Sequence, residues 1–288
     1  MDTHEQTHRR AVLYLVCAAI LWSTAGLLIK LIQWQPFAIA GMRSAVAALL
    51  LWAYVRRPRF TWSAAQIGGA VAYAGTVVLF GVANKNTTAA NAILLQYTAP
   101  IYIALFSSWF LGERVRPLDW ATIGLVLVGL ALFLLDGLDS GNWYGDGLAM
   151  GSAVCFAALI LFLRKQKDEA PLESVILGNI LAALIGLPFM FGPVPDLKSW
   201  LGMILLGSLQ LGLSYLLYVK GIQHVTALEG VLVPVIEPLL NPLWVLLLLG
   251  EKPSAMALTG GLIVLGAVLA RGIINSRLKP AAPALAEG

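Results

Sequence analysis

Charged residues are scarce in this sequence. Only 12% of the 288 residues are Asp, Glu, Lys or Arg, whereas 59% are hydrophobic, and the mean hydropathy is +0.82. Soluble domains average about 25% charged and about 45–50% apolar residues. The composition therefore excludes an ordinary soluble domain and indicates a polytopic membrane protein. The net charge of +4 does not predict a nucleic-acid partner, because the basic residues lie in short gaps between apolar runs and form no patch.

Residue types that perform catalysis or bind metals are also rare. The two cysteines, Cys17 and Cys155, lie inside apolar runs, where a packing role is favoured over a disulfide or a metal site. No phosphate-binding loop, Gly-x-Ser-x-Gly motif or histidine pair at metal-binding spacing occurs. Asp146 lacks the second intramembrane aspartate that an aspartyl protease would need. We therefore expect no cofactor, no metal and no enzymatic activity, with an intramembrane enzyme as the weaker alternative.

Apolar runs long enough to cross a bilayer recur ten times, since about 20 residues of helix span the hydrocarbon core. The first run, 11–32, is too long for a signal peptide and has no clear cleavage site. The predicted fold is an all-α polytopic membrane protein with ten transmembrane helices, and we expect a disordered tail over 274–288. The predicted spans, numbered 1 to 10, are 11–32, 37–55, 63–83, 88–110, 118–135, 144–164, 172–191, 199–219, 225–249 and 254–273.

The basic residues predict the orientation of the spans. Most of the 19 Lys and Arg residues fall in the connections on the same side as the N-terminus. Cytoplasmic connections of membrane proteins carry an excess of Lys and Arg. We therefore expect the N-terminus to be cytoplasmic, and the even number of spans returns the C-terminus to the same side.

Spans 4 and 9 share one pattern. Thr88-Ala89 leads to Pro100 and then to the sequence LGER over 111–114, and the same order, at a shift of 138 residues, gives Thr226-Ala227, Pro238 and LGEK over 249–252. The chain therefore divides into two five-helix repeats, 11–135 and 144–273. Because five is odd, the second repeat enters the membrane from the opposite side. Inverted repeats are typical of secondary transporters, whose substrate lies at the midplane between discontinuous helices.

The doubled pattern, together with Arg43 in span 2 and Trp22 in span 1, resembles the EamA-type, ten-helix branch of the drug/metabolite transporter superfamily. Within it, the chain is similar to the aromatic amino-acid exporters. The resemblance implies a basket of ten helices around a central cavity and export across a bacterial inner membrane by alternating access. Its partners would be a small-molecule substrate and the lipid bilayer, without nucleic acid. Amino acids, including bulky ones, are the expected substrates, and drugs, nucleosides or amphiphilic cations exchanged for protons are the alternative. We expect a monomer, although the sequence leaves the oligomeric state open.

Span 9 also carries a carboxylate at its midpoint, Glu237. Pro234, Pro238 and Pro242 recur every four residues around it and lie on one face of the helix. Each proline removes a backbone donor, so neighbouring groups or water must satisfy the freed carbonyls. We predict hinges at these prolines and at Pro100. Glu237 either couples transport to protons or binds a substrate ammonium, or it is a protonated or paired carboxyl that braces the broken helix.

Polar aromatic and amide side chains at membrane depth are candidates to line the cavity, and helix packing is their alternative role. These substrate-binding candidates are Gln96, Tyr97, Tyr102, Trp22, Tyr73, Gln210, Tyr215, Tyr218, Asn241 and Trp244.

Three further charged features have open roles. Arg43 either binds a substrate carboxylate, or caps carbonyls and pairs with an acid. Its depth of about 10 Å from the start of span 2 lets it snorkel, which favours the second role slightly. Glu113 and Glu251 end spans 4 and 9, and we expect them to hold a turn through Arg114 and Lys252 or to latch a gate, with the turn favoured.

Overall fold

The computed structural model describes residues 3–25, 28, 32–135, 142–191, 195–240 and 254–277. Over these residues the secondary structure is helical, with no strand, which confirms the predicted all-α fold class. Eight helices in the described part are long and apolar enough to cross a membrane, and they correspond to predicted spans 2 to 8 and 10. Spans 1 and 9 are described in part, because 26–27, 29–31 and 241–253 lie outside the described residues.

The helices begin where the sequence supplies a cap or a proline. Gln35, Ser63, Asn142 and Asp196 each accept a hydrogen bond from a backbone N–H of the first turn that follows them. Prolines occupy the first turn where their missing N–H is not needed. The helices that make up the spans are Thr3–Trp22, Pro36–Val55, Ala64–Asn86, Ala89–Gln96 with Ala99–Leu111, Pro117–Leu134, Trp143–Lys165, Pro171–Gly186, Leu197–Leu205 with Leu206–Leu213 and Ser214–Ile222, Ala227–Leu232, and Ala255–Arg277. The last helix continues four residues beyond the predicted end of span 10.

Helices of each half of the chain pack against helices of the other half. Span 3 packs on spans 6 and 7 of the second half, and span 8 packs on spans 1 and 2 of the first. Span 2 also packs on span 7, and span 5 on span 10. Exchanging the halves converts the contacts of span 3 into those of span 8, and it converts the other two contacts into themselves. The substrate site predicted between the halves would therefore have walls from both.

Glycines bring spans 2 and 7, and spans 5 and 10, close together. Gly186 of span 7 lies so near Gly41 of span 2 that a Cβ on Gly186 would be 2.6 Å from the Gly41 Cα. A Cβ on Gly260 of span 10 would be 2.4 Å from the carbonyl oxygen of Gly129 in span 5. Without a hydrophobic effect between helices in lipid, this close backbone packing is a principal source of attraction.

We expect Gly260→Ala to lower the free energy of unfolding by about 1–3 kcal/mol, the usual effect of overpacking a close-packed contact. The added methyl group would meet backbone atoms of Gly129 and Phe133, which cannot rotate away. Thermal unfolding of the purified protein in detergent measures the change. Gly266→Ala in the same helix is the control, because nothing lies within 4 Å of its added Cβ. Equal melting temperatures for the two variants would contradict close packing at Gly260.

Candidate functional site

Spans 4 and 9 are both interrupted at matching positions. Span 4 is helical to Gln96, turns at 97–98 and resumes at Ala99. Span 9 changes from α-helix to a 3-10 turn over Val233–Val235 and returns to α-helix over 236–240. The shift of 138 residues places Tyr97 on Val235. Each interruption therefore lies just before the matched prolines, Pro100 and Pro238.

The repeated threonines start the two interrupted spans. Thr88 Oγ1 accepts a hydrogen bond from the N–H of Asn91 at 3.1 Å, and Thr226 Oγ1 accepts one from the N–H of Glu229 at 3.2 Å. Asn91 and Glu229 are themselves equivalent in the repeat. Asn91 also donates to Asp146 of span 6, as does the hydroxyl of Thr87. The repeated sequence thus encodes the same N-cap twice. The residue three positions after the cap is the neutral Asn91 in one copy and the acidic Glu229 in the other.

Two tyrosines from other spans satisfy the carbonyls that the prolines free. Pro234 has no N–H to offer Gly230, and the Tyr218 hydroxyl donates to the Gly230 carbonyl at 2.9 Å. Pro238 likewise frees the carbonyl of Pro234, which lies 3.1 Å from the Tyr97 hydroxyl. The expectation that neighbouring groups compensate the broken helix is confirmed at these two positions. Pro242 lies outside the described residues.

Tyr97 also contacts Glu237. Its hydroxyl oxygen lies 2.9 Å from Glu237 Oε2, so one phenol faces both a carboxyl group and a backbone carbonyl. A phenol has a single proton to donate. If Glu237 is ionised, the carboxylate and the Pro234 carbonyl compete for that proton. If Glu237 is protonated, it donates to Tyr97, and Tyr97 donates to Pro234, so that every group is paired.

Aromatic side chains form a cluster beside this contact. The ring of Trp22 lies 5.1 Å from the rings of both Tyr215 and Tyr218, and Tyr73 lies 4.8 Å from Tyr215. Phe156 packs edge-on against Trp22. The cluster joins spans 1, 3, 6 and 8, and it belongs to the same buried core as Tyr97. Sequence reasoning did not include Phe156 among the site residues.

The remaining substrate-binding candidates divide into three groups. Tyr102 is half-buried and packs against the buried core. Gln96 donates to the Ser152 hydroxyl at 3.0 Å, a contact between spans 4 and 6 that supports helix packing. Asn241 and Trp244 lie outside the described residues, and Gln210 lies beside Arg43.

Arg43 is buried, with 6% of its surface exposed. The prediction that it snorkels is therefore wrong, because it points into the protein beside span 8. Its Nη1 lies 3.5 Å from Oε1 of Gln210, at the outer limit of a hydrogen bond. Gln210 belongs to a π-helical segment, Leu206–Leu213, and such segments are frequent at functional sites. In the described part of the chain, no carboxylate forms an ion pair with Arg43, so the predicted acidic partner is not found there.

Glu113 pairs with a different arginine from the predicted one. Its Oε1 accepts from Arg164 Nε at 2.7 Å, and its Oε2 accepts from the N–H of Ala227 at 2.8 Å. Arg164 also donates to the carbonyl of Gln223. The prediction of a turn held through Arg114 is therefore wrong, because Glu113 joins the end of span 4 to spans 6 and 9 of the other half. Glu251 and Lys252 lie outside the described residues.

A second ion network lies at the same end of the bundle, and sequence reasoning missed it. Arg271 of span 10 pairs with Asp119 of span 5 at 2.7 Å and lies 3.8 Å from Glu229. Glu229 also lies 3.5 Å from His8, which precedes predicted span 1, and this interaction raises the pKa of His8. We call this end the Glu113 face, defined by Glu113, Asp119, Arg164, Glu229 and Arg271.

Comparison with known proteins identifies relatives of the whole chain. A family model described as the EamA-like transporter family matches residues 9–135 and 143–271. An uncharacterized transporter of Archaeoglobus fulgidus is 28% identical, and the match covers 88% of this chain and 93% of that transporter. The pseudopaline exporter CntI of Pseudomonas aeruginosa is 25% identical, covering 91% and 95% of the two chains.

Two further matches show less, because one covers only half of the chain and the other shows the fold alone. The threonine/homoserine exporter RhtA of Escherichia coli is 29% identical over 52% of this chain, and the match spans about half of that relative, 51%. A solved crystal structure shares the fold, with a TM-score of 0.80, 24% identity and coverage of 93% of this chain and 98% of that one.

Proposed function

We propose that this chain, which belongs to the EamA-like transporter family, is a secondary transporter that exports amino acids and related small metabolites. The observation that carries the proposal is the contact between the interruptions of spans 4 and 9, where Tyr97 of one half touches Pro234 and Glu237 of the other. Discontinuous helices that meet at the midplane are where secondary transporters bind substrate. The names of two relatives, exporters of threonine/homoserine and of pseudopaline, support amino-acid-like substrates.

The proposed mechanism is alternating access by two repeats, 11–135 and 144–273. On the Glu113 face, Glu113 holds the two halves together through Arg164 and Ala227, so this face must separate for substrate to pass. Arg164 and Glu113 retain 15% and 19% of their side-chain surface, so water can reach them as they part. Their separation therefore costs far less than that of fully buried charges.

We further propose that the protein lies in a bacterial inner membrane with the Glu113 face toward the cytoplasm. The excess of Lys and Arg in the connections on that side supports this orientation. Both termini would then be cytoplasmic. Substrate would enter from the Glu113 face and leave from the face where Asp146 contacts Thr87 and Asn91.

The aromatic cluster favours substrates with a bulky apolar part. Trp22, Tyr215 and Tyr218 pack on one another in the buried core, and their rings would stack on an aromatic or aliphatic side chain of a substrate once the two halves part. Glu237 beside them supports the second candidate function, exchange of protons for amphiphilic cations, because a carboxylate next to aromatic rings attracts cationic groups.

The test is a counterflow assay with the purified protein in liposomes. A panel of amino acids, including threonine, homoserine and phenylalanine, is compared with nucleosides and amphiphilic cations. We expect saturable counterflow of at least one amino acid. Counterflow confined to cations would overturn the amino-acid assignment in favour of the second candidate. Flux that does not saturate would indicate a channel, and chemical change of a panel compound would indicate an enzyme.

A further inference from the structure

In the described part of the chain, three buried hydrogen-bonding groups without a partner lie on spans 1 and 2, and one of them belongs to the aromatic cluster. Within the described residues, five buried side-chain polar atoms have no partner, and three of them are Trp22 Nε1, Arg43 Nε and Ser44 Oγ. The other two are on Ser107 and Asn275. Trp22 and Arg43 are 5% and 6% exposed, so water at the protein surface does not reach these donors. Native proteins rarely leave such groups unsatisfied, and an exception requires an explanation.

Among these groups, the guanidinium of Arg43, whose Nε has no partner in the part of the chain that the structure describes, is the one whose burial costs the most free energy. Arg43 keeps its charge in any environment a protein offers, so burial cannot be relieved by loss of a proton. Within the described residues its one side-chain hydrogen bond, to the neutral amide of Gln210, is long at 3.5 Å. Removing a charge from water without an opposite charge beside it is strongly unfavourable. The protein holds a positive site that lacks its anion within the described residues.

Trp22 and Arg43 border the same tyrosine. The ring of Tyr215 lies 5.1 Å from that of Trp22, and Gln210, the partner of Arg43, precedes Tyr215 by five residues, about one helical turn of span 8. Tyr73 packs against Tyr215, with ring centroids 4.8 Å apart. An N–H of an indole and an N–H of a guanidinium are both donors only. Two donors without acceptors around one aromatic surface fit an acceptor group of a ligand.

We propose that Arg43 and Trp22 donate hydrogen bonds to the carboxylate of the transported molecule, with Gln210 holding the guanidinium in place. This inference rests on the proposed function and names the chemistry that its site selects: a monocarboxylate attached to an apolar or aromatic body. Arginine binds carboxylates through parallel N–H groups, which gives both affinity and orientation. A substrate with an additional ammonium would direct it toward Glu237, the carboxyl group beside Tyr97.

The test measures ligand binding without transport. Thermal unfolding of the purified protein in detergent is followed with 3-phenylpropionate and with its neutral analogue, 3-phenylpropionamide. We expect the carboxylate to raise the melting temperature of the wild type and the amide to have little effect. In Arg43→Met the carboxylate affinity should fall roughly 10- to 100-fold, the usual effect of losing a hydrogen bond to a charged group. Lys198→Gln removes an exposed positive charge and should bind as the wild type does.

Two additional measurements separate a binding role from a structural one. Arg43→Met without ligand should melt at or above the wild-type temperature, because it removes a buried charge that has no counter-charge, whereas a bracing arginine would lower it. Trp22→Phe keeps the ring and removes the donor, so it should weaken the carboxylate and leave the amide unchanged. Equal stabilisation of Arg43→Met and the wild type by 3-phenylpropionate would overturn the proposal, as would no stabilisation of either protein.

This test does not depend on the counterflow result. If no amino acid is transported but Arg43-dependent carboxylate binding is found, the amino-acid assignment fails and the carboxylate site stands. If amino acids are transported and 3-phenylpropionate binds equally well without Arg43, the transporter assignment stands and the carboxylate site fails.

Discussion

Glu237→Gln is expected to abolish the stimulation of uptake by a pH gradient and to preserve counterflow. A glutamine amide donates to Tyr97 as a protonated carboxyl would, so Tyr97 remains free to donate to the Pro234 carbonyl. The variant therefore mimics the protonated state and cannot return to the ionised one. Uptake in liposomes with and without an imposed pH gradient measures both properties, and the two rates should become equal in the variant.

Tyr97→Phe is the matched control for Glu237→Gln. It keeps the aromatic ring and leaves both the Pro234 carbonyl and the Glu237 carboxyl without the phenol. Since an unpaired buried polar group costs about 1–3 kcal/mol, the free energy of unfolding, measured by thermal unfolding in detergent, should fall by about that amount. If Glu237→Gln retains full stimulation by the pH gradient, Glu237 has no part in coupling, and its contact with Tyr97 only braces the interrupted helix.

Asp119→Asn is expected to lower the free energy of unfolding by about 3–5 kcal/mol, the cost of leaving one member of a buried ion pair without its partner. Asp119 and Arg271 retain only 6% and 7% of their side-chain surface, and the pair joins span 5 to span 10. Glu229 lies 3.8 Å from Arg271 and compensates only part of the lost charge. Thermal unfolding in detergent measures the loss.

Two controls define the origin of that loss. Glu5→Gln breaks an equally short ion pair with Arg9, but both side chains are at least half exposed, so the effect should stay below about 1 kcal/mol. The double variant Asp119→Leu with Arg271→Met removes both charges and should recover most of the stability. A double variant as unstable as Asp119→Asn would show that the effect arises from packing rather than from the unpaired charge.

The helices and their interruptions could be predicted from the sequence because both depend on local chemistry. Runs of about 20 apolar residues determine the spans, and a proline frees the carbonyl four residues before it wherever it lies in a helix. The equivalence of Thr88 and Thr226 could be predicted for the same reason, because an N-cap residue accepts its hydrogen bond from the first turn of its own helix. The breaks before Pro100 and Pro238 followed from the repeat.

Partners that lie far apart in the chain could not be predicted in this way. Glu113 was assigned to the neighbouring Arg114, yet it pairs with Arg164, because the packing of spans 4 and 6 decides which side chains meet. The same limit applies to Asp119 and Arg271, which are 152 residues apart in the chain. Arg43 was placed by depth alone, and depth does not tell whether a helix face points to lipid or to span 8.

Asn91 and Glu229, which follow the two matched N-caps, differ in charge, and this difference affects how the two ends of the molecule open. On the Glu113 face, the copy with Glu229 engages a cationic partner, Arg271, whereas the copy with Asn91 engages Asp146 through neutral donors. Opening the Glu113 face separates opposite charges, whereas opening the other end breaks hydrogen bonds from neutral donors to one carboxylate. Although one duplicated element forms both ends of the molecule, its two barriers to opening therefore differ in kind.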